Sequence, residues 1–571
     1  MAINSHIRKS LFFFIVLFVS SSASAQLAPH KYLIRFTDKN NSPYTLSDPS
    51  QYLSAKAIAR RVNQGITIKY NDLPVTPAYI DSVINTGVTL YCTSKWFNSA
   101  TIFTTDSVAL AKIMSFPFVQ SVDSISKIMT GSLISIFPEK KNSEVVMNVR
   151  SSFTQNNYSA ERTESYDYGF AYNQVSMIGL DYLHNLGYSG QGMTIAVIDA
   201  GFWHADTMAV FDSLWTNNQI LGYINFVEPG GNLFGTDIST HGMMVLSIMG
   251  GNIPGQIVGT APKANYWLLR SEDAVTENII EEYNWASAAE FADSVGADVI
   301  NSSLGYTDFD QSWMNHTYDD MDGETTPASI AATIAASKGI IVCNSAGNSG
   351  SSPWHYIGAP ADADSIITVG AVDDQENYAS FSSTGPSSDG RIKPTVAAQG
   401  QGTVVASTGG GIMSGNGTSF SSPVIAGATA CLWQANQSYN NMMIIQAIAE
   451  SSSQYTSPDS LLGYGIPNFA AANLILSGIP INDFDNTSLV NIFPNPFDDI
   501  IYIVFFSSDT QVVDIDVYDI TGKKVISEKG LKRSAGYNYL SVRKVSELGK
   551  GLYIVRILSD GKIYSQKLMK A

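Results

Sequence analysis

Apolar and polar positions change their rhythm three times along the chain. Lys31-Tyr32-Leu33-Ile34-Arg35-Phe36 reads as a strand, a helical stretch follows at residues 52–63, and short alternating segments continue to Val119-Gln120-Ser121-Val122. This mixture predicts a small α/β domain over residues 26–136. Residues 137–169 are polar and aperiodic, as in Glu139-Lys140-Lys141-Asn142-Ser143, and predict an exposed linker open to proteolysis. From 170 to 479, apolar runs alternate with Ala-rich helical stretches. Ile195-Ala196-Val197-Ile198 and Ile340-Ile341-Val342-Cys343 are continuous apolar segments, the pattern of parallel strands buried on both faces. Between them, residues 284–295 read as a helix and Asp298-Val299-Ile300-Asn301 as a strand. The alternation predicts an α/β fold: an open, mostly parallel sheet with helices on both faces. Over residues 486–571 the pattern switches to short strands at 500–506, 512–518, 522–526 and 551–558, after the turn Phe493-Pro494-Asn495-Pro496. These predict a small all-β sandwich. No internal repeat is seen.

The N-terminus departs from all three patterns. Arg8 and Lys9 precede an apolar run at 11–19, and Ala23-Ser24-Ala25 fits a small-residue cleavage site. Residues 1–25 therefore read as a secretory signal peptide cut before Gln26. The run is too short to span a bilayer, and no later stretch reaches the roughly 18 apolar residues a transmembrane helix needs.

Composition narrows the classes. With 571 residues, 44% of them hydrophobic, the chain has material for several packed domains. Three Cys rule out a disulfide scaffold. Cys343 and Cys431 lie in predicted core elements, and the sequence leaves open whether they pair. The net charge of −17 argues against a nucleic-acid partner. That charge is unevenly shared: residues 151–479 carry six Lys and Arg against 31 Asp and Glu, whereas residues 26–150 carry 13 against eight.

Three residues of the acidic segment suggest chemistry. Asp199 ends the run Val197-Ile198-Asp199-Ala200-Gly201, His241 opens Thr240-His241-Gly242-Met243-Met244-Val245, and Ser419 sits in Gly417-Thr418-Ser419-Phe420-Ser421-Ser422-Pro423. Singly, each has an ordinary reading as a turn residue, a surface residue or a helix cap. Together they are the parts of an activated hydroxyl nucleophile. An imidazole takes the serine proton, and a buried carboxylate fixes its tautomer and stabilises its charge. The chain order Asp, His, Ser differs from that of the α/β-hydrolases, and the G-x-S-x-G elbow is absent around Ser419. No H-E-x-x-H occurs, which disfavours a zinc protease.

On these motifs, residues 170–479 resemble the subtilisin-like serine proteases (subtilases). Ser345-Ala346-Gly347-Asn348 is similar to that family's oxyanion segment, Asn301-Ser302-Ser303-Leu304-Gly305 to its substrate-binding strand, and Phe381-Ser382-Ser383-Thr384-Gly385-Pro386 to a further family segment. The resemblance implies a serine endopeptidase acting on protein or peptide substrates. Asp199, His241 and Ser419 would be its triad, Asn348 its oxyanion donor, and Ser303, Leu304 and Gly305 its substrate strand. It implies no cofactor for the chemistry. Structural calcium is common in the family, but no EF-hand-like spacing appears and no ligands are assigned. The chain departs from the family's usual pattern at Ala200, Met243, Phe420, Thr395 and Gln399, none of which removes a catalytic group.

By position, residues 26–136 resemble a subtilase propeptide, which implies an intramolecular inhibitor. Its basic charge would dock on the acidic enzyme. Residues 486–571 resemble the C-terminal sorting domain of type IX secretion substrates, in Tyr518-Asp519-Ile520-Thr521-Gly522-Lys523, Gly551-Leu552-Tyr553-Ile554-Val555 and the basic end Lys567-Leu568-Met569-Lys570. That implies export by the type IX machinery to the cell surface or medium. The rival reading is a non-catalytic surface adhesin on a subtilase scaffold.

Overall fold

In the computed structural model, which describes residues 31–126, 166–236, 238–478, 490–507, 511–533, 536–559 and 562–571, the predicted first strand forms as β1 (Lys31–Phe36). It lies in an antiparallel sheet with β2 (Thr89–Ser94), β3 (Ser99–Phe103) and β4 (Val119–Ser126), in the order β2-β3-β1-β4. Ile34, Phe36, Val83, Ile102 and Ile113 fill its core. The predicted helix is α1 (Ala55–Asn63), which starts late because the Ser54 hydroxyl accepts the Ala57 N–H and so caps it there. The predicted signal peptide lies outside the described residues, as does most of the predicted linker. The linker's last residues are anchored, however, although Asp167 is exposed. Tyr168 is buried, its hydroxyl 2.7 Å from His184 Nδ1, and Gly169 bridges to Ile257. An aromatic anchor in a polar stretch has no periodicity to announce it.

The apolar runs of the middle segment build one parallel sheet. Its strands are β5 (Thr194–Asp199), β6 (Ile220–Asn225), β7 (Asn265–Arg270), β8 (Val299–Ser302), β9 (Ile341–Ser345), β10 (Ile367–Val372) and β11 (Val396–Gln399). Their order is β11-β10-β9-β8-β5-β7-β6. Both faces are covered, which is why the runs do not alternate. Ile195 and Val197 of β5 pack into one core with Val245, Phe420 and Val424, while Ala196 and Ile198 pack into the other with Trp285 and Ala332. The first core holds α2 (His241–Gly250); the second holds α3 (Ile280–Val295) and α4 (Pro327–Ser337). Helix α5 (Thr418–Ala435) packs in the first core and is buried over most of its length. Strand order reverses at β5, and such a switch point opens a crevice at the carboxyl ends of parallel strands.

The N-terminal domain sits on α3 through buried charge. Asp293, fully buried, takes Arg60 at 2.5 Å, Arg61 at 2.8 Å and Lys95 at 3.2 Å. One turn earlier, Glu290 accepts the Ser94 hydroxyl and the backbone N–H groups of Lys95 at 2.7 Å and Trp96 at 3.1 Å. Burial pushes the Glu290 carboxyl up to about 7 against the pull of Lys95. Once the N-terminal domain leaves, that carboxyl meets water and returns to the ordinary range near 4.3. The docked form thus holds the proton more tightly. The Glu290 contribution to docking is full below the undocked value and is lost as pH rises through about 7. In an unprocessed Ser419→Ala chain, hydrogen-exchange protection over residues 31–126, corrected for intrinsic rates, should fall between pH 5 and 8. Glu290→Gln should flatten that profile.

The C-terminal sandwich pairs a three-stranded sheet with a four-stranded one around Ile503, Phe505, Val517 and Val555. The four predicted strands form, and three more appear, Gly536–Val542, Lys562–Lys570 and the short Asn491–Phe493. The second mixes lysines with apolar residues, so its alternation is hard to read. Among the described residues, no helix is long and apolar enough to cross a membrane.

Candidate active site

Each residue singled out by sequence stands at the carboxyl end of the parallel sheet or at the start of a helix beside it. Asp199 ends β5, His241 is the first residue of α2, and Ser419 is the second of α5. Ser303 directly follows β8, and Asn348 lies three residues beyond β9.

Asp199 and His241 are bonded: Nδ1–H donates to Asp199 Oδ1 at 2.7 Å. The same oxygen accepts the Ala200 N–H at 2.7 Å. The carboxyl is fully buried, which raises its proton affinity above the ordinary value, while the imidazole draws it back down. Gly242 permits this approach. A Cβ there would sit 2.4 Å from the Gly201 carbonyl oxygen and 2.9 Å from Asp199 Cβ, so any side chain would push α2 off β5.

Ser419 is 3% exposed, and its hydroxyl donates to the Ser303 carbonyl oxygen at 3.2 Å. The Ser303 hydroxyl donates back to the Ser419 carbonyl oxygen at 2.8 Å. The next residue, Phe420, stacks its ring 6.2 Å from the His241 ring, so the starts of α2 and α5 meet. Phe420 and Met243, two departures from the family pattern, are both fully buried around this junction.

Asn348 lies across from the start of α5. Its Oδ1 accepts both the N–H and the hydroxyl of Thr418 at 2.9 Å each, which turns its Nδ2 donors away from Thr418. Gly347 has φ +103°, a backbone that L side chains rarely adopt, and its N–H donates to Thr418 Oγ1 at 3.1 Å. The Ser419 N–H is among the first of α5, where no carbonyl four residues back accepts it and the helix dipole favours negative charge. Leu304 is buried and its carbonyl oxygen accepts Asn344 Nδ2 at 3.2 Å, whereas Gly305 is exposed and a Cβ there would meet only the Ala359 carbonyl oxygen, at 3.9 Å.

Cys343 and Cys431 are both buried free thiols, which answers the pairing question the sequence leaves open. Gln399 accepts Asn173 Nδ2 at 2.9 Å and donates to the Gly402 carbonyl oxygen at 3.2 Å, shaping the loop after β11; Thr395 Oγ1 accepts the Thr368 N–H at 3.1 Å. Sequence reading missed Glu272, Glu277 and Glu281, whose carboxylates converge beside the site. Their spacing follows no ligand motif, so only the fold brings them together.

Comparison with known proteins is consistent across the chain. A model of the subtilase family matches residues 190–465, a Bacteroidota peptidase S8 propeptide domain matches 31–155, and a secretion-system C-terminal sorting domain matches 491–571. Subtilisin E of Bacillus subtilis is 31% identical over 317 residues, 55% of this chain and 72% of that protein. Subtilisin of Bacillus pumilus is 30% identical over 303 residues, 52% of this chain and 97% of its own length. Among solved structures, MycP1 from Mycobacterium smegmatis aligns with a TM-score of 0.42 at 21% identity, covering 55% of this chain and 86% of that one.

Proposed function

The chain belongs to the subtilase family, and on that footing we propose that Asp199, His241 and Ser419 are the catalytic triad of a secreted serine endopeptidase. The observation that carries the assignment is the 2.7 Å bond from His241 Nδ1–H to a fully buried Asp199 at the sheet's switch point. The chain is a subtilase with its own propeptide and a sorting domain that directs it outside the cell through type IX secretion.

In the proposed mechanism, Ser419 Oγ leaves the Ser303 carbonyl and attacks the scissile carbon as its proton passes to His241 Nε2. Asp199 fixes the tautomer that leaves Nε2 free of hydrogen and then stabilises the imidazolium. Asn348 Nδ2 and the Ser419 N–H hold the oxyanion. His241 returns its proton to the leaving amine, and water repeats the sequence on the acyl-enzyme. Ser303, Leu304 and Gly305 pair with the extended substrate, and exposed Gly305 gives its backbone room. These side chains carry the chemistry without a cofactor. We assign residues 1–25 as signal peptide, 26–136 as propeptide, 137–169 as the linker holding the processing site, 170–479 as the peptidase and 486–571 as the sorting domain.

A fluorophosphonate probe tests this assignment. Labelling of the processed protein that is lost in Ser419→Ala supports it; a processed, folded protein that takes no label favours the adhesin scaffold. Asn348→Ala should lower kcat about 10²–10³-fold with little change in KM, a magnitude taken from the equivalent loss in a subtilisin. Steady-state kinetics on a peptide substrate checks it.

A further inference from the structure

Three acidic side chains beside the triad are not used by the chemistry above. Glu272, Glu277 and Glu281 bring carboxylate oxygens within 4.8 Å of one another, with Glu272 4% and Glu281 1% exposed. Their place in the fold is fixed from two sides. On one side, the Ser271 N–H donates to the Asp199 carbonyl oxygen at 3.1 Å. Arg270 Nε donates to the carbonyl oxygens of Ala200 at 3.1 Å and Glu272 at 3.3 Å. On the other side stands Tyr306, which continues the chain from Ser303-Leu304-Gly305 and exchanges backbone bonds with Ala359 at 2.7 and 3.2 Å.

We propose that Glu272, Glu277 and Glu281 form a subsite that receives a Lys or Arg side chain of the peptide substrate, a reading that rests on the protease assignment above. Two buried oxygens point to a cationic donor as occupant. The Tyr306 hydroxyl is fully buried and has no hydrogen-bond partner among the described residues. Burial first, and then the charges of Glu272, Glu281, Glu277 and Glu282, raise its pKa, so these carboxylates lie near it. Asn278, 6% exposed, likewise keeps Oδ1 without a partner, while its N–H donates to Glu281 Oε2 at 3.3 Å. Carboxylate, amide and phenol oxygens all accept, and an ammonium or guanidinium brings several donors and the missing charge. A side chain fits better than a metal ion. Both Glu281 oxygens are already held by backbone N–H groups, of Asp273 at 2.9 Å and of Asn278, and so offer a fixed field rather than open coordination positions. A propeptide cation already lies near this field: burial lowers the Lys31 pKa, and Asp273 and Glu281 are among the charges that pull it part of the way back.

The test uses the protein expressed as the full chain and allowed to process itself. Matched fluorogenic peptides carry Lys, Arg, norleucine or Glu singly at each position N-terminal to the scissile bond. At one position, Lys or Arg should raise kcat/KM roughly ten- to a hundredfold over norleucine, the scale of a charge-assisted hydrogen bond. Glu272→Gln and Glu277→Gln should each bring that ratio close to one, with Tm recorded as a check on folding. Equal cleavage of all the peptides by the parent protein overturns the subsite and leaves the protease reading standing. A ratio close to one, with a Tm that calcium chloride raises in the parent but not in Glu277→Gln, overturns it in favour of a metal site. Failure of a folded protein to cleave any peptide instead sinks the protease assignment on which the subsite rests.

Discussion

Replacing Ser419 by Ala should leave a full-length chain that cleaves no peptide and keeps its propeptide, with hydrolysis reduced about 10⁶-fold, the scale measured for loss of the nucleophile in a subtilisin. No neighbouring hydroxyl stands ready to substitute. Ser421 Oγ donates to the Thr418 carbonyl oxygen at 2.9 Å, and Ser422 Oγ to Asn301 Oδ1 at 3.0 Å, so both are tied into the helix and sheet behind the site. The cost to the fold is small. Ser419 Oγ contributes one bond, to the Ser303 carbonyl oxygen, and a neutral hydrogen bond is worth about 0.5–1.5 kcal/mol net. Intact-mass spectrometry and a peptide assay read the result. A chain that matures normally and turns over peptides at the parent rate would remove Ser419 from the mechanism.

The parts of this molecule that could be read from sequence are those where one local pattern has one physical cause. Ile195-Ala196-Val197-Ile198 is continuously apolar because β5 is covered on both faces, and the strand appears where the run predicts it. Asp199, His241 and Ser419 stand out because each has small residues beside it, Ala200-Gly201, Gly242 and Gly417-Thr418, and because they follow in the order Asp, His, Ser. Gly242 is an example: its place is set by the Gly201 carbonyl and Asp199, not by any turn. What stayed hidden depends on partners distant in the chain. Glu272, Glu277 and Glu281 look like ordinary surface acids until β7 and α3 bring them together. Helix α3 itself begins at Ile280, four residues before the predicted start, because its first turn carries Glu281 and Glu282, both buried, in an otherwise Ala-rich helix. Composition suggested that a basic propeptide docks on an acidic enzyme through their overall charge. The fold places much of that attraction on one carboxylate of α3, Asp293, with Glu290 adding hydrogen bonds one turn earlier, and no count of charges could name them.

Asp293→Asn should therefore loosen the propeptide far more than its single charge suggests. The carboxylate is fully buried and joins three cations of the N-terminal domain. Arg61 also reaches Asp72 at 2.9 Å, and Asp72 takes Lys338 of the peptidase at 3.0 Å, so the network crosses the interface twice. Removing one partner from such a buried cluster strands the others, at a cost of roughly 3–5 kcal/mol. That corresponds to roughly 10²- to 4 × 10³-fold weaker docking. The carboxyl of Asp293 is held far below the usual carboxylate range by Lys95, Arg60 and Arg61 against its burial. Its contribution is present above the ordinary carboxylate pKa and is lost only in strong acid, the opposite sense to that of Glu290. In the unprocessed Ser419→Ala background, amide protection over residues 31–126 should drop by that factor in Asp293→Asn while protection in β5 and β8 is retained. Equal loss in both regions would mean that Asp293 stabilises the peptidase core rather than the docked propeptide. Because the same network keeps the inhibitor seated, a processed Asp293→Asn enzyme should also show a shorter lag before full activity.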